Sequence, residues 1–345
     1  MFEIGKFNKN FILKHALAIL LLVLGFSLLG GCVTASKSPK NTTSTPRGET
    51  FPLLPTENVE LSPVIPNLDR SGGLTFSTDG ILYFANYLQS GTIGMHQVGQ
   101  SQSPETFIDL TQWMTSYGDR TPRAHGMRID GQGRLVVAEA GTGKVIRIYP
   151  ETETDLLPRF DSTEASAVPR AGKLEVLADS FDGFSLGSVC DVVIGPDGDI
   201  YASSPSSGAV FIIRPEDGYV GMLNQELVRV RGLAISPDGR RLVAAEPDSG
   251  RVLVFDLRKD DMPAEMWTLV DFSSSGEEPQ GLAFDKSGLL YVGLGDTKKI
   301  KVFDLVQGTL LLTYDAGGPA DCLSYSDGVL YVSGGDGIRS LRLNK

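Results

Sequence analysis

The sequence predicts an all-β protein, a six-bladed β-propeller of four-stranded antiparallel blades. Three observations predict it: a repeated strand–turn–strand frame, a constant spacing inside each copy, and further apolar runs between the copies. The 345-residue chain is 41% hydrophobic and contains 40 glycines, so short apolar strands separated by many turns are expected. Radial packing of such repeats leaves few free sheet edges, which favours a propeller over an open sheet.

The repeat is aligned on a turn glycine and on a second position seven residues earlier. The turn glycines are Gly80, Gly133, Gly198, Gly239, Gly288 and Gly328. The earlier positions are Gly73, Gly126, Asp191, Gly232, Gly281 and Asp321. Each turn joins two apolar runs, and the Asp-Gly dipeptide found in several copies tolerates the positive φ angles of tight hairpins. The frame therefore predicts one hairpin in each blade.

A third apolar run, such as KVIRIYP or RVLVFDL, follows each hairpin, and a fourth run follows most of them. The last copy ends at Lys345 without a fourth run. The segment NVELSPVI, residues 58–65, can supply the missing strand. We therefore predict that residues 57–345 form the propeller and that an N-terminal strand completes its last blade.

The N-terminal region has the features of an export signal. Residues 1–31 carry lysines followed by a 14-residue apolar run, ALAILLLVLGFSLL. Leu29-Gly30-Gly31-Cys32 resembles the lipobox of bacterial lipoproteins, in which the cysteine is lipidated. An ordinary signal peptide with an incidental Cys32 is the alternative. Residues 32–56 are rich in Ser, Thr and Pro and predict a flexible tether, so we expect a body anchored to a bacterial membrane on its periplasmic or cell-surface side.

Charge and histidine content exclude two classes of function. The formal net charge is −11, and removing residues 1–31, which hold three lysines and one glutamate, leaves −13. A body this acidic, without a basic stripe, is not expected to bind nucleic acid. Of the three histidines, His15 lies in the predicted signal, so His96 and His125 alone remain. A site built from several histidines around zinc is excluded.

The segments HGMRIDGQGRLVVAE, SVCDVVIGPDGDIYASS and RGLAISPDGRRLVAAE resemble the gluconolactonase family, also known for senescence marker protein, with NHL-repeat propellers as relatives. The resemblance extends over residues 70–343 and implies a metal-dependent lactone hydrolase, with a cation held by Glu, Asn and Asp side chains. The ligand positions that it implies fall at Gly72, Cys190, Arg231 and Gln280, and all four are substituted. The family's substrate-binding arginine falls at Ser188. The resemblance therefore implies the scaffold, while its substitutions argue against the metal chemistry.

In a propeller, the starts of the inner strands and the ends of the second strands share one face. We predict a ligand-binding channel mouth there from His125, Cys190, Asp191, Arg231, Glu246, Gln280 and Asp321. Loops entering the same face predict an aromatic lid of Trp113, Tyr117 and Phe184. These aromatics can equally pack on blade edges.

Three hypotheses remain open for this mouth. A relocated metal site would use Asp191, Glu246, Asp321 and Glu139. A thiol nucleophile would use Cys190 with His125, although a buried inert cysteine is commoner. An Arg231-centred polar mouth would either hold a carboxylate or phosphate or be closed by pairing with aspartates.

We therefore expect a lipid-anchored module that binds a small molecule or a protein at the channel face and requires no cofactor. The alternative is a diverged lactone or ester hydrolase of the gluconolactonase type, which would require a divalent cation such as calcium.

Overall fold

The computed structural model of the protein describes residues 54, 59–68, 71–116, 118–151, 170–257, 265–335 and 337–343. The predicted signal, Cys32 and almost all of the predicted tether lie outside the described residues.

The described chain forms short strands with little helix. The strands are β1 (Ser62–Pro66), β2 (Leu74–Phe76), β3 (Ile81–Ala85), β4 (Thr92–Gln97), β5 (Glu105–Asp109), β6 (Ala124–Ile129), β7 (Leu135–Glu139), β8 (Lys144–Pro150), β9 (Ala171–Ala178), β10 (Ser180–Phe181), β11 (Phe184–Ser185), β12 (Asp191–Ile194), β13 (Ile200–Ser204), β14 (Ala209–Arg214), β15 (Tyr219–Asn224), β16 (Leu233–Ile235), β17 (Arg241–Glu246), β18 (Arg251–Asp256), β19 (Met266–Asp271), β20 (Pro279–Phe284), β21 (Leu289–Leu294), β22 (Lys299–Asp304), β23 (Thr309–Asp315), β24 (Cys322–Ser326), β25 (Val329–Gly334) and β26 (Gly337–Arg342). A single-turn helix α1 spans Leu110–Trp113, and a 3-10 turn spans Pro247–Ser249. Among the described residues, no helix is long and apolar enough to cross a membrane.

Twenty-four of these strands form six four-stranded antiparallel sheets, and β10 and β11 form a separate hairpin. Blades 1 to 5 are β2–β5, β6–β9, β12–β15, β16–β19 and β20–β23, each in sequence order. Blade 6 has the order β1-β26-β25-β24. The first strand pairs with the last, with Ser62 opposite Ser340 and Pro66 opposite Gly337. The predicted six-bladed propeller closed by an N-terminal strand is confirmed.

The hydrophobic core is divided among the contacts between neighbouring blades. The second strands are the most deeply buried, because blades pack on both of their faces; every residue of β7, β13 and β21 is buried. Six apolar clusters, each spanning two adjacent blades, lie among the described residues. The cluster around Leu74, Phe84 and Tyr331 joins blade 6 to blade 1 and closes the ring.

Glycines at the starts of the inner strands let neighbouring blades approach closely around the channel. A Cβ on Gly73 would lie 2.4 Å from the His125 carbonyl oxygen, and a Cβ on Gly126 would lie 2.6 Å from the Asp191 Cα. Only a residue without a side chain fits at such distances. These glycines, which the repeat alignment singles out, therefore set the width of the channel.

The alignment is wrong by one residue in the last blade. A Cβ on Gly281 would lie 2.7 Å from the Cα of Cys322, so Cys322 and not Asp321 occupies the position equivalent to the earlier glycines. The physical reason is the turn: Ser326 pairs with Val329, and both Asp327 and Gly328 have positive φ, 45° and 78°. This two-residue turn is shorter than the turns of the other blades. Asp321 therefore lies one residue before the inner strand, nearer the mouth.

Candidate functional site

A cavity of about 830 Å³ opens at one end of the channel and receives residues from all six blades. This volume lies in the range of small-molecule sites. The sequence-predicted residues His125, Cys190, Asp191, Arg231, Gln280 and Asp321 all line it. The repeat spacing brings them together because each lies at or just before the start of an inner strand.

Glu246 is the exception among the predicted mouth residues. It does not line the cavity, and its side chain is fully buried beside the loop that follows β17. Its Oε2 accepts hydrogen bonds from Arg251 Nη2 at 2.6 Å and from Ser249 Oγ at 2.8 Å, while Oε1 accepts the Val228 N–H at 2.7 Å. Both carboxylate oxygens are hydrogen-bonded to neighbouring residues, so the structure places Glu246 apart from the residues that line the cavity.

The predicted aromatic lid does not cover the cavity in the described residues. Trp113 ends helix α1 and is 43% exposed, and Phe184 lies at the tip of the β10–β11 hairpin and is 77% exposed; neither lines the cavity. Tyr117 lies outside the described residues. Both side chains are exposed to solvent, and the lid remains a prediction.

An arginine–aspartate network lies in the wall of the cavity, but its arginine is Arg128, not Arg231. Arg128 Nη1 lies 3.6 Å from Asp191 Oδ1, and Arg128 Nη2 donates to the Leu233 carbonyl at 3.3 Å. Asp191 Oδ2 also accepts the Leu233 N–H at 2.9 Å. The pair thus ties blades 2, 3 and 4 together. Sequence reasoning missed Arg128, although an arginine between Met127 and Ile129 on an inner strand is an available signal.

Arg231 is left largely available to a ligand. Its Nη1 donates to Gln280 Oε1 at 3.5 Å, and its buried Nε has no hydrogen-bond partner. Among the described residues, no carboxylate forms an ion pair with it. Burial raises the carboxyl pKa of Asp321 above its ordinary value, although nearby Arg231, His125 and Arg339 oppose this.

Cys190 and His125 face one another across the boundary between blades 2 and 3. The Cys190 sulfur lies 3.6 Å from His125 Nδ1 and 3.9 Å from Nε2. The pKa of His125 is raised to about 9, chiefly by attraction to the Cys190 sulfur, whose hydrogen bond adds to it. Asp191 raises it further, whereas burial and Arg231 lower it. His125 is therefore expected to be an imidazolium at neutral pH.

The donor groups at the implied ligand positions do not fit a hard divalent cation. Gly72 offers no side chain, Cys190 offers a soft sulfur, and Arg231 brings a fixed positive charge, which leaves Gln280 as the oxygen donor. The relocated carboxylates do not converge either, since Glu139 accepts the N–H groups of Gly141 and Thr142. Among the described residues, no group of three or more His, Cys, Asp and Glu is placed to hold a metal ion.

Comparison with known proteins agrees with this architecture. Residues 156–325 match the family model described as SMP-30/Gluconolactonase/LRE-like region. A gluconolactonase from Zymomonas mobilis subsp. mobilis is 24% identical over 195 residues, 50% of this chain and 49% of that protein. The chain thus spans about half the length of this curated relative.

Two solved structures show the same fold. A putative gluconolactonase has a TM-score of 0.65 at 19% identity, covering 84% of this chain and 94% of that one. A gluconolactonase from Xanthomonas campestris has a TM-score of 0.63 at 18% identity, covering 84% and 98%. At these identities the likeness concerns the fold.

The fold and the site together define a six-bladed β-propeller with a polar cavity at the mouth of its channel. More particularly, residues 156–325 are similar to the SMP-30/Gluconolactonase/LRE-like family, and the propeller has the fold of the two gluconolactonase structures.

Proposed function

We propose that the protein binds a small anionic organic molecule, of the carboxylate class, in the channel cavity. The observation that supports this proposal is that the residues lining the cavity carry an excess of positive charge although the protein is acidic. Four arginines line the cavity against two aspartates, although the whole chain has a formal net charge of −11. The arginines are Arg123, Arg128, Arg229 and Arg231. A local positive site in an acidic body selects anions and repels cations.

Arg231 is the residue that we expect to bind the carboxylate. Arg128 is engaged with Asp191, and Arg229 pairs with Asp248 at 3.3 Å. Arg231 has an unpartnered buried Nε and lies near His125, the second cation of the site. A guanidinium presents parallel N–H donors that match the two oxygens of a carboxylate.

Replacing Arg231 with glutamine is expected to weaken binding of succinate at least about tenfold, because a hydrogen bond to a charged group contributes about 1.5–3 kcal/mol. Isothermal titration calorimetry with succinate, and separately with inorganic phosphate, measures the effect. Arg240→Gln, an exposed arginine outside the cavity, is the control and keeps the wild-type affinity. Equal affinities in both variants, or no binding of either anion by the wild type, would contradict the proposal.

Lactone hydrolysis is the second candidate function, and the names of the gluconolactonase relatives favour it. Metal-dependent lactone hydrolysis conflicts with the side chains at the implied ligand positions, which do not suit a hard divalent cation. We expect the melting temperature to be unchanged by millimolar calcium, magnesium or zinc after chelation. A cation at 100 times its dissociation constant would add about 2.7 kcal/mol to the free energy of unfolding, so a saturable rise would restore the metal-dependent alternative.

We also propose that the propeller is exported and anchored through a lipid on Cys32. The supporting observation is the order of the lysine-containing start, the apolar run and the Leu-Gly-Gly-Cys sequence. Cells supplied with an alkyne-bearing fatty acid are expected to label the wild-type protein but not Cys32→Ser. Cys322→Ala is the matched control and keeps the label. Label that persists in Cys32→Ser would exclude lipidation at this residue.

A further inference from the structure

Backbone hydrogen bonds place Cys190 beside His125. The Cys190 N–H donates to the Ser203 carbonyl at 2.9 Å, and the Cys190 carbonyl accepts the Gly126 N–H at 2.8 Å. The cysteine backbone is therefore bonded to its own blade and to the neighbouring blade, directly beside His125. The sulfur lies 3.6 Å from His125 Nδ1, and both residues line the cavity. Nucleophile and base are within hydrogen-bonding reach, which is the geometric requirement for covalent catalysis.

The groups around His125 favour its protonated form. Asp191 approaches from blade 3 beside Cys190, and Arg231 and Asp321 belong to blades 4 and 6. The raised pKa of His125 shows that the attraction from the sulfur and Asp191 exceeds the effects of burial and Arg231. A protonated imidazole beside a cysteine sulfur is the arrangement that activates thiols at neutral pH.

We propose that Cys190 is a nucleophile activated by His125 and that it hydrolyses carboxylated esters or lactones held in the channel cavity. The substrate class depends on the proposed binding of carboxylates by Arg231. In this mechanism the Cys190 sulfur attacks the carbonyl carbon, in place of a water molecule activated by a metal ion. The reaction consumes one water and needs no oxidant, reductant or cation.

The proposed reaction passes through a thioester on Cys190. With the shared proton on His125, the Cys190 sulfur attacks the carbonyl carbon, which forms a C–S bond and converts the C=O group to an alkoxide. The C–O bond to the alcohol then breaks, and His125 gives its proton to the leaving oxygen. Water attacks the resulting thioester while His125 accepts a proton from it. The C–S bond breaks, which releases the acid and restores the thiolate beside the imidazolium.

Cys322 provides a reference within the same chain for the reactivity of Cys190. Cys322 is also free, but burial, Asp191, Cys190 and Asp321 raise its pKa well above the usual range, and no histidine contacts it among the described residues. Cys322 is nevertheless more exposed than Cys190, which is only 7% exposed. Exposure alone therefore predicts faster modification of Cys322, whereas activation by His125 predicts faster modification of Cys190.

The first test is alkylation of the full chain by iodoacetamide at pH 7, followed by mass spectrometry of the separate cysteine peptides. Cys190 is expected to react about ten times faster than Cys322. His125→Gln is expected to remove this advantage, while His96→Gln, on β4 and outside the cavity, retains it. Equal rates at Cys190 and Cys322, or a fast Cys190 in His125→Gln, would overturn the activation of Cys190 by His125.

The second test uses mono-4-nitrophenyl succinate, an activated ester that carries a carboxylate. The wild type is expected to release nitrophenolate and to carry a succinyl group on the Cys190 peptide, and Cys190→Ala loses both signals. Release is compared with the protein-free rate, because the free carboxylate of this ester expels nitrophenolate by itself; release above that rate that persists in Cys190→Ala would overturn the proposed catalysis. Calorimetry separates the two proposals: succinate binding without fast alkylation overturns the nucleophile alone, and fast alkylation without succinate binding overturns the carboxylate specificity alone.

Discussion

Replacing Gly126 with alanine is expected to destabilise the propeller by about 3 kcal/mol, the upper end of the range for overpacking a close contact. A Cβ at this position would lie 2.0 Å from Asp191 Oδ1 and 2.6 Å from the Asp191 Cα. The second distance involves backbone, so rotation of a side chain cannot relieve it. Blade 3 would have to move away from blade 2, which would also separate Cys190 from His125. Urea unfolding followed by tryptophan fluorescence measures the change.

Gly131→Ala is the matched control for this prediction. Gly131 belongs to the turn of the same blade, and a Cβ there meets nothing within 4 Å. We expect its free energy of unfolding to stay within about 0.5 kcal/mol of the wild type. Similar losses in Gly126→Ala and Gly131→Ala would show that the close approach of the inner strands does not determine stability.

Replacing Glu246 with alanine is expected to destabilise the protein by about 3 kcal/mol, at the lower end of the range for breaking a buried ion pair. The substitution leaves Arg251 without its carboxylate at 2.6 Å and the Val228 N–H without its acceptor at 2.7 Å. Arg251 is 36% exposed, so water partly compensates its charge, whereas Glu246 itself is fully buried. Chemical denaturation of the variant measures the loss.

An exposed ion pair provides the comparison. Lys286 and Asp327 lie 3.4 Å apart, and their side chains are 76% and 93% exposed. Lys286→Ala is expected to change the free energy of unfolding by less than about 0.5 kcal/mol, because water screens such pairs. A Glu246→Ala protein that kept its stability but lost succinate binding would restore Glu246 to the ligand site and contradict its structural role.

Much of the architecture follows from patterns that are local in the sequence. The turn glycines and the apolar runs around them predict hairpins, because turn chemistry and alternation act over a few residues. The missing fourth strand of the last copy predicts closure by the N-terminal segment, and the pairing of Ser62 with Ser340 confirms it. The same fixed spacing places His125, Cys190 and Arg231 at one end of the channel.

The structure departs from the sequence-based predictions at positions whose contacts no local sequence pattern specifies. Asp321 is displaced from the expected position because one turn is a residue shorter, although the Asp-Gly dipeptide is the same. Glu246 lies at the end of its strand like a ligand-site residue, but the loop that follows folds back and pairs it with Arg251. Met127 and Ile129, the neighbours of Arg128 on its strand, pack in the apolar cluster between blades 1 and 2. The long side chain of Arg128 instead reaches Asp191 and the Leu233 carbonyl.

The number of blades, the closing strand and the starts of the inner strands of blades 1 to 5 follow from spacing along the chain. The start of the last inner strand and the contacts among the channel residues depend on turn geometry and on the distance between blades, so they are known from the tertiary structure. Gly126 has no side chain to hold blades 2 and 3 apart. The sulfur of Cys190 therefore comes within 3.6 Å of His125, although 64 residues separate them in the chain.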